Sequence, residues 1–224
     1  MRRITKRILK IIRKLFLFER LKLTDSVGII NDVSLISRGG ISLKLTETVL
    51  SSERIYEGKI INLRRDMVAL ENGRKAAREI VEHPGGVGIL PLDKDGSVYM
   101  VRQYRHGARE IVLEIPAGKL NYGEDALECG KRELLEEIGA TAQEYISLGK
   151  IFPTPAYCEE VIPIFLAKGL SFSEQKLDEG EFLNVEKVKL KKLLPMVMRG
   201  ELPDCKTQIA ILKTAVLEGL LKED

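Results

Sequence analysis

Three glutamates carry the clearest chemistry in the chain: Glu133, Glu136 and Glu137, spaced i, i+3 and i+4. On a helix this spacing sets the carboxylates side by side on one face. Like charges placed this way repel, so the cluster costs stability unless a cation meets it. Mg²⁺ prefers oxygen ligands and typically binds through one or two carboxylates, water and substrate phosphates. The fitting chemistry is binding of a divalent cation and, through it, of substrate phosphates. Glu128, four residues before Arg132, reads as a partner that orients the arginine. A solvated acidic helix face would show the same charges, but two glycines argue against it. Gly118, in the preceding loop Pro116-Ala117-Gly118-Lys119, lets backbone carbonyls approach a metal. Gly130 sits mid-helix, where glycine costs about 1 kcal/mol relative to alanine; close packing on a sheet would explain it.

The elements that must position this cluster follow from periodicity and turn chemistry. Asp125–Ile138 reads as the carboxylate helix, with Gly139 as its C-terminal cap. Strands are expected at Ile55–Leu63, Met67–Leu70, Ala77–Val81, Val87–Leu92, Ser97–Tyr104, Ile111–Ile115, Ser147–Phe152, Val161–Ala167 and Phe182–Val188. Val87–Leu92 is continuously apolar, as a buried strand would be. Asn72-Gly73 signals a hairpin whose two central residues take positive φ. Helices are expected at Leu190–Met198, despite Pro195, and at Lys206–Leu221. Mixed strands with few helices imply a layered α/β or α+β fold.

These residues also carry a resemblance. Gly118, Glu124, Arg132, Glu133, Glu136, Glu137 and Gly139 fill every fixed place of the Nudix box, with Leu134 and Ala140 in its aliphatic places. Seven such matches arise by chance about once in 10⁸ windows at ordinary residue usage. The chain therefore resembles the Nudix hydrolases, which cleave a nucleoside diphosphate linked to another group using Mg²⁺ or Mn²⁺. The resemblance implies an α/β/α sandwich with a mixed sheet, preceded by a small antiparallel β domain. It implies Glu133 and Glu137 as main metal ligands, Glu136 as a further ligand, the Ala117 carbonyl as a backbone ligand, and Arg132 as the arginine that orients the glutamates.

The flanks narrow the resemblance to the ADP-ribose pyrophosphatase branch. They are Arg102-Gln103-Tyr104-Arg105, Glu114-Ile115-Pro116-Ala117-Gly118, Arg78-Glu79-Ile80-Val81-Glu82-His83-Pro84-Gly85, and Pro155, sixteen residues after Gly139. Ala156 and Tyr157 depart from the branch's usual Gly-Phe. That branch implies residues 44–85 as a β domain exchanged within a homodimer and residues 86–224 as the hydrolase domain. Substrate then sits at the dimer interface. Arg78 and Glu82 would contact it from the exchanged domain, and Arg105 would meet the diphosphate or terminal ribose. Pro155 would mark the substrate loop. In the acidic stretch Asp178-Glu179-Gly180-Glu181, Glu179 is expected as the general base and Glu181 as a late metal ligand, with Gly180 giving the loop freedom to close. The expected reaction is hydrolysis of ADP-ribose to AMP and ribose 5-phosphate. Another nucleotide sugar or dinucleotide, such as GDP-mannose or a flavin dinucleotide, is the alternative.

The rest of the composition bounds these readings. The chain has 224 residues, 44% apolar and 31% charged, with no run of apolar residues long enough to span a bilayer. Residues 1–23 hold nine Lys/Arg and one acid, while the remainder is mildly acidic. Nucleic acid is therefore not an expected partner of the protein body. Residues 1–43 read as a basic amphipathic arm and linker. The arm offers peripheral contact with anionic lipid or a partner, and on that reading alone the chain would be a membrane- or nucleic-acid-associated binding module. Read plainly, the arm packs on its own protein, or is an added or over-extended N-terminal segment. Cys129, Cys158 and Cys205 form no CxxC pair, and His83 and His106 complete no zinc pattern with them. A reducing, cytoplasmic setting is expected.

Overall fold

Alternation along the central strands decides the layering. Ile89 and Leu90, Met100 and Val101, and Leu166 and Ala167 are sequence neighbours that enter opposite hydrophobic clusters. Side chains of period two point to the two faces of one sheet, so both faces must be covered. The structure is a computed structural model and describes residues 44–221. The basic arm and the linker reading of residues 24–43 lie outside the described residues.

The described residues open with three antiparallel strands, β1 (Thr48–Glu57), β2 (Asn62–Ala69) and β3 (Lys75–Glu82), in the order β1-β2-β3. A seven-stranded mixed sheet follows. It comprises β4 (Gly86–Leu92), β5 (Ser97–Arg105), β6 (Glu110–Glu114), β7 (Ala117–Lys119), β9 (Glu144–Ile151), β10 (Ile162–Lys168) and β12 (Leu183–Lys189). Its order is β12-β5-β4-β10-β9, with β6 on β5 and β7 on β4; β10 runs parallel to β4. The short strands β8 (Ala140–Thr141) and β11 (Ser171–Phe172) pair separately.

Helix α1 (Ala126–Ile138) packs Leu134 and Ile138 on one face of the sheet. Helices α2 (Leu190–Arg199) and α3 (Cys205–Leu217) pack Leu190, Leu193, Ala210 and Ile211 on the other. The result is an α/β/α sandwich preceded by a small antiparallel sheet. Every residue of β4 is buried, as its continuous apolar run implies. A Cβ on Gly130 would stand 3.3 Å from Val87 and 3.7 Å from Ile89, so this mid-helix glycine permits the close approach of α1 to β4. Among the described residues no helix is long and apolar enough to cross a membrane.

Three local expectations are corrected. Ile55–Leu63 is not one strand: β1 ends at Glu57, the chain turns through residues 58–61, and β2 starts at Asn62. Its aliphatic residues imitate a strand, yet Ile60 and Ile61 are exposed in the turn, where Gly58 N donates to Asn62 Oδ1 at 3.2 Å. The β2–β3 connection places only Gly73 at positive φ. Gly73 N donates to Leu70 O and Leu70 N to Arg74 O, a tight turn followed by a left-handed glycine. Asn72 instead accepts Arg74 N with its side chain at 3.0 Å. The last helix stops at Leu217 rather than continuing to Leu221, where the chain forms a turn. Pro195 is accommodated within α2, which continues to Arg199.

Candidate active site

Helix α1 begins where Asp125 accepts Leu127 N and Glu128 N at 2.9 and 3.1 Å, a side-chain N-cap. It ends at Gly139, whose φ of 65° supplies the left-handed cap. Between these caps Glu133 and Glu137 face inward: Glu133 is 8% exposed and Glu137 fully buried. Glu137 Oε2 accepts Ala117 N at 2.9 Å, which ties the helix to β7. Its Oε1 is buried with no hydrogen-bond partner among the described residues. Burial is the main force on Glu137. It overrides the Ala117 hydrogen bond and, with Glu133, Glu181 and Glu114 adding repulsion, pushes the carboxyl up to about 8. Burial likewise raises Glu133, with Arg132 opposing.

Arg132 ties the acidic face together. Its guanidinium donates to Glu124 at 3.1 Å and to Glu136 at 2.9 Å, and pairs with Glu133 at 2.8 Å. Glu124, and not Glu128, is therefore the partner outside the cluster. Glu124 is anchored by Asn121 N at 2.8 Å, while Glu128 points outward and pairs with Lys131 at 2.7 Å.

A cleft of about 870 Å³ opens over this helix. Its walls include Arg105, Ala117, Gly118, Arg132 and Glu133 together with the acidic loop Asp178, Glu179, Gly180 and Glu181. Tyr104 and Phe182, both exposed, stand at its edge. Glu181 lines the cleft together with Glu133, and its charge adds to the upward push on both Glu133 and Glu137. Glu179 lies exposed on the same loop. The loop is fixed to the end of α1: Lys176 N donates to Glu136 O at 3.1 Å, Ser173 N to Gly139 O at 2.7 Å, and the Gln175 side chain to Glu137 O. These bonds satisfy helix-terminal carbonyls that have no partner within the helix.

The donor set suits a hard cation. An unpartnered buried carboxylate oxygen, a second buried carboxylate and a backbone loop meet at one place. A Cβ on Gly118 would overlap the Glu133 carboxylate, which occupies the space that the glycine leaves. Among the described residues no three acidic, His or Cys side chains converge into a preformed cage. Mg²⁺ does not require one, since water and phosphate complete its shell.

The structure thus brings Glu133, Glu136, Glu137, Arg132, Ala117, Glu179, Glu181 and Arg105 to one helix-and-cleft region. Three expected substrate contacts lie elsewhere within the chain. Arg78 pairs with Glu47 on the three-stranded sheet. Glu82 pairs with Arg54 and Arg64. Pro155 is exposed in the segment 152–161, which borders β3 through Val81 N to Tyr157 O and Glu159 N to Val81 O. Sequence reasoning missed Arg64, which joins Asp66, Glu82 and Glu159, and also missed Gln175 and Lys206. Only the run Asp204-Cys205-Lys206-Thr207 at a helix start carried a local signal, as an N-cap.

Residues 82–205 match the NUDIX domain model. The chain belongs to the Nudix family. Residues 47–87 of this Nudix hydrolase match a second model, the nucleoside diphosphate sugar hydrolase N-terminal domain. Over 178 residues it is 39% identical to an ADP-ribose pyrophosphatase of Bacillus subtilis (strain 168), covering 79% of this chain and 96% of that one. It is 36% identical over 176 residues to a methanol dehydrogenase activator of Bacillus methanolicus, covering 78% and 95%. Its fold is similar to a solved structure titled ADP compounds hydrolase, with a TM-score of 0.71 at 23% identity, over 82% of this chain and 100% of that one.

Proposed function

We propose that this Nudix hydrolase cleaves ADP-ribose to AMP and ribose 5-phosphate with Mg²⁺, for which Mn²⁺ can substitute. The observation that carries the metal-dependent chemistry is buried Glu137, one oxygen on Ala117 N and the other unpartnered beside the cleft. The substrate class rests on the similarity to the Bacillus subtilis pyrophosphatase along nearly its whole length.

Glu133, Glu136 and Glu137 would hold the metal with the Ala117 carbonyl, and Glu181 would join them when the loop closes. The bound metal would supply charge neutralisation at the diphosphate and a more acidic water. The chain's own residues do the rest. Arg132 holds Glu133 and Glu136 against their mutual repulsion. Arg105 meets the diphosphate. Glu179 accepts the proton of the attacking water, which adds to one phosphorus as the bridging P–O bond breaks. Gly180, at a φ of 85°, gives the loop its turn.

The working unit is a homodimer in which residues 44–85 are the exchanged domain and residues 86–224 the hydrolase domain. Two observations support this: all ten residues of β1 are exposed, and Arg78 and Glu82 stand outside their own chain's cleft. Arg78 and Glu82 then bind substrate from the partner subunit's exchanged domain, while Pro155 marks the substrate loop of the hydrolase domain. A reducing, cytoplasmic setting agrees with three unpaired cysteines.

The test is chromatographic assay of ADP-ribose, other nucleotide sugars and dinucleotides with Mg²⁺, alongside Glu137→Gln. Release of AMP and ribose 5-phosphate from ADP-ribose, fastest in the panel and abolished in Glu137→Gln, supports the reading. Faster cleavage of another nucleotide would keep the chemistry and overturn the substrate.

A further inference from the structure

Arg105 enters the cleft already engaged. Its Nε and Nη2 donate to the two oxygens of Glu114 at 2.6 and 2.9 Å, while its Nη1 has no partner among the described residues. Glu114 is 1% exposed at the end of β6, and its Oε2 also accepts from Lys206 Nζ. Lys206 donates in turn to Asp204 Oδ1 at 2.9 Å. Asp204 is the N-cap of α3, its other oxygen accepting Thr207 N at 2.9 Å. Charges therefore alternate in a line from the start of α3 to the cleft: Asp204, Lys206, Glu114, Arg105. Burial pushes the Lys206 ammonium toward neutrality, but Glu114 and Asp204 outweigh it and hold its pKa above the ordinary value. The same turn of α3 reaches the metal loop, because Thr207 Oγ1 accepts Ile115 N at 2.9 Å, two residues before Ala117.

We infer that Lys206 is a positioning residue for substrate binding: by sharing the Glu114 carboxylate it fixes Arg105 with one guanidinium edge and its positive charge open to the diphosphate. The inference rests on the reading of the cleft as a nucleoside-diphosphate site. With all four groups ionised the line is neutral. Without Lys206 it carries a net negative charge beside a site that must accept an anion, and Glu114 is left to draw on Arg105 alone. Lys206 bonds only to Glu114 and Asp204 and to none of the residues read as metal ligands, so its loss is expected to fall on substrate affinity rather than on the chemical step.

The experiment combines steady-state kinetics on ADP-ribose with calorimetric binding of α,β-methylene-ADP-ribose, both in Mg²⁺. Lys206→Met is expected to raise KM and the analogue's Kd about 10-fold, the weight of one charge-assisted hydrogen bond. Its kcat should stay within about twofold and its Mg²⁺ requirement unchanged, with most of the loss recovered in Lys206→Arg. Lys206→Met strips a buried carboxylate of a partner, which can cost folding. The double variant Glu114→Gln with Lys206→Met removes both buried charges and keeps the line neutral but takes away the carboxylate that fixes Arg105, so in it KM is expected to rise through loss of position alone. A wild-type KM in either folded variant overturns the inference, as does a fall in kcat at constant KM. Arg105→Ala separates the layers. If it raises KM and Lys206→Met does not, the inference alone fails; if it leaves KM and Kd unchanged, the reading of Arg105 fails with it.

Discussion

Glu137 is the side chain whose surroundings least suit its own charge: fully buried, one oxygen unpartnered, its carboxyl pushed up to about 8. A structural role would be served as well by a neutral amide. Glu137→Gln keeps the size and an oxygen for Ala117 N, so metal-free stability should hold or rise, since folding no longer has to protonate or bury a carboxylate there. Hydrolysis should nevertheless fall by more than about 100-fold, beyond the loss typical of a residue that only supports a metal ligand. Thermal melts without metal and turnover with Mg²⁺ give the two readings; a stability loss accompanied by retained turnover would contradict the assignment. Gly118→Ala tests the same place from the other side. The new Cβ would fall 1.8 Å from Glu133 Oε1, so the carboxylate must swing away. The expected outcome is weakened Mg²⁺ activation, read by metal titration, with full-length protein still folded. The glutamate cluster was legible because its members are local in sequence, whereas the choice of Glu124 over Glu128 depends on a loop bond from Asn121 that spacing does not encode.

Helix α1 is the element for which every local signal agrees: an aspartate cap, an inward stripe, a small residue facing the sheet and a glycine stop. Asp125→Ala removes two hydrogen bonds at the first turn and is expected to cost about 1 kcal/mol. Leu134→Ala, at a fully buried position, should cost about 2–5 kcal/mol because the cavity lies between helix and sheet. Denaturant unfolding of both variants checks the order: if the cap change costs as much as the core change, the helix is held by its end rather than by its face. Other elements were less legible for physical reasons. Strand β1 is exposed throughout and shows no alternation. β7, β8 and β11 have two or three residues, too few to display a period. The fastening of the acidic loop to α1 joins Gln175 to Glu137, 38 residues apart, and the Lys206–Glu114 pair spans 92. Such contacts exist only once the sheet has brought its ends together.

At the scale of the molecule, the two sheets should answer acid with opposite sign. The three-stranded sheet meets the segment 152–161 through Arg64, which pairs with Asp66, Glu82 and Glu159 at 3.0, 2.9 and 2.6 Å. The Ser52 hydroxyl and then Arg64 hold the Asp66 carboxyl below its ordinary range; Arg54 and then Arg64 do the same for Glu82. A carboxyl depressed on folding adds stability above its unfolded pKa, near 4, and that stability is lost as pH falls through the folded value. Burial raises Glu137, so in metal-free protein its contribution is present at low pH and is lost as pH rises through about 8. Acidification to about pH 3 should therefore loosen the junction between β3 and the segment 152–161 while the packing around α1 holds. Hydrogen exchange resolves the two: the amides of Val81 and Glu159, bonded across that junction, should lose protection first, ahead of those in α1 and β4. In Asp66→Asn part of this acid response should disappear, because the side chain no longer titrates. Simultaneous loss of protection at β3 and α1 would show one cooperative unit and remove the junction as the acid-sensitive part. If the junction does loosen first, acid should reduce substrate affinity before it unfolds the carboxylate helix, since Arg78, Glu82 and Pro155, the proposed substrate contacts, all lie on its side of the molecule.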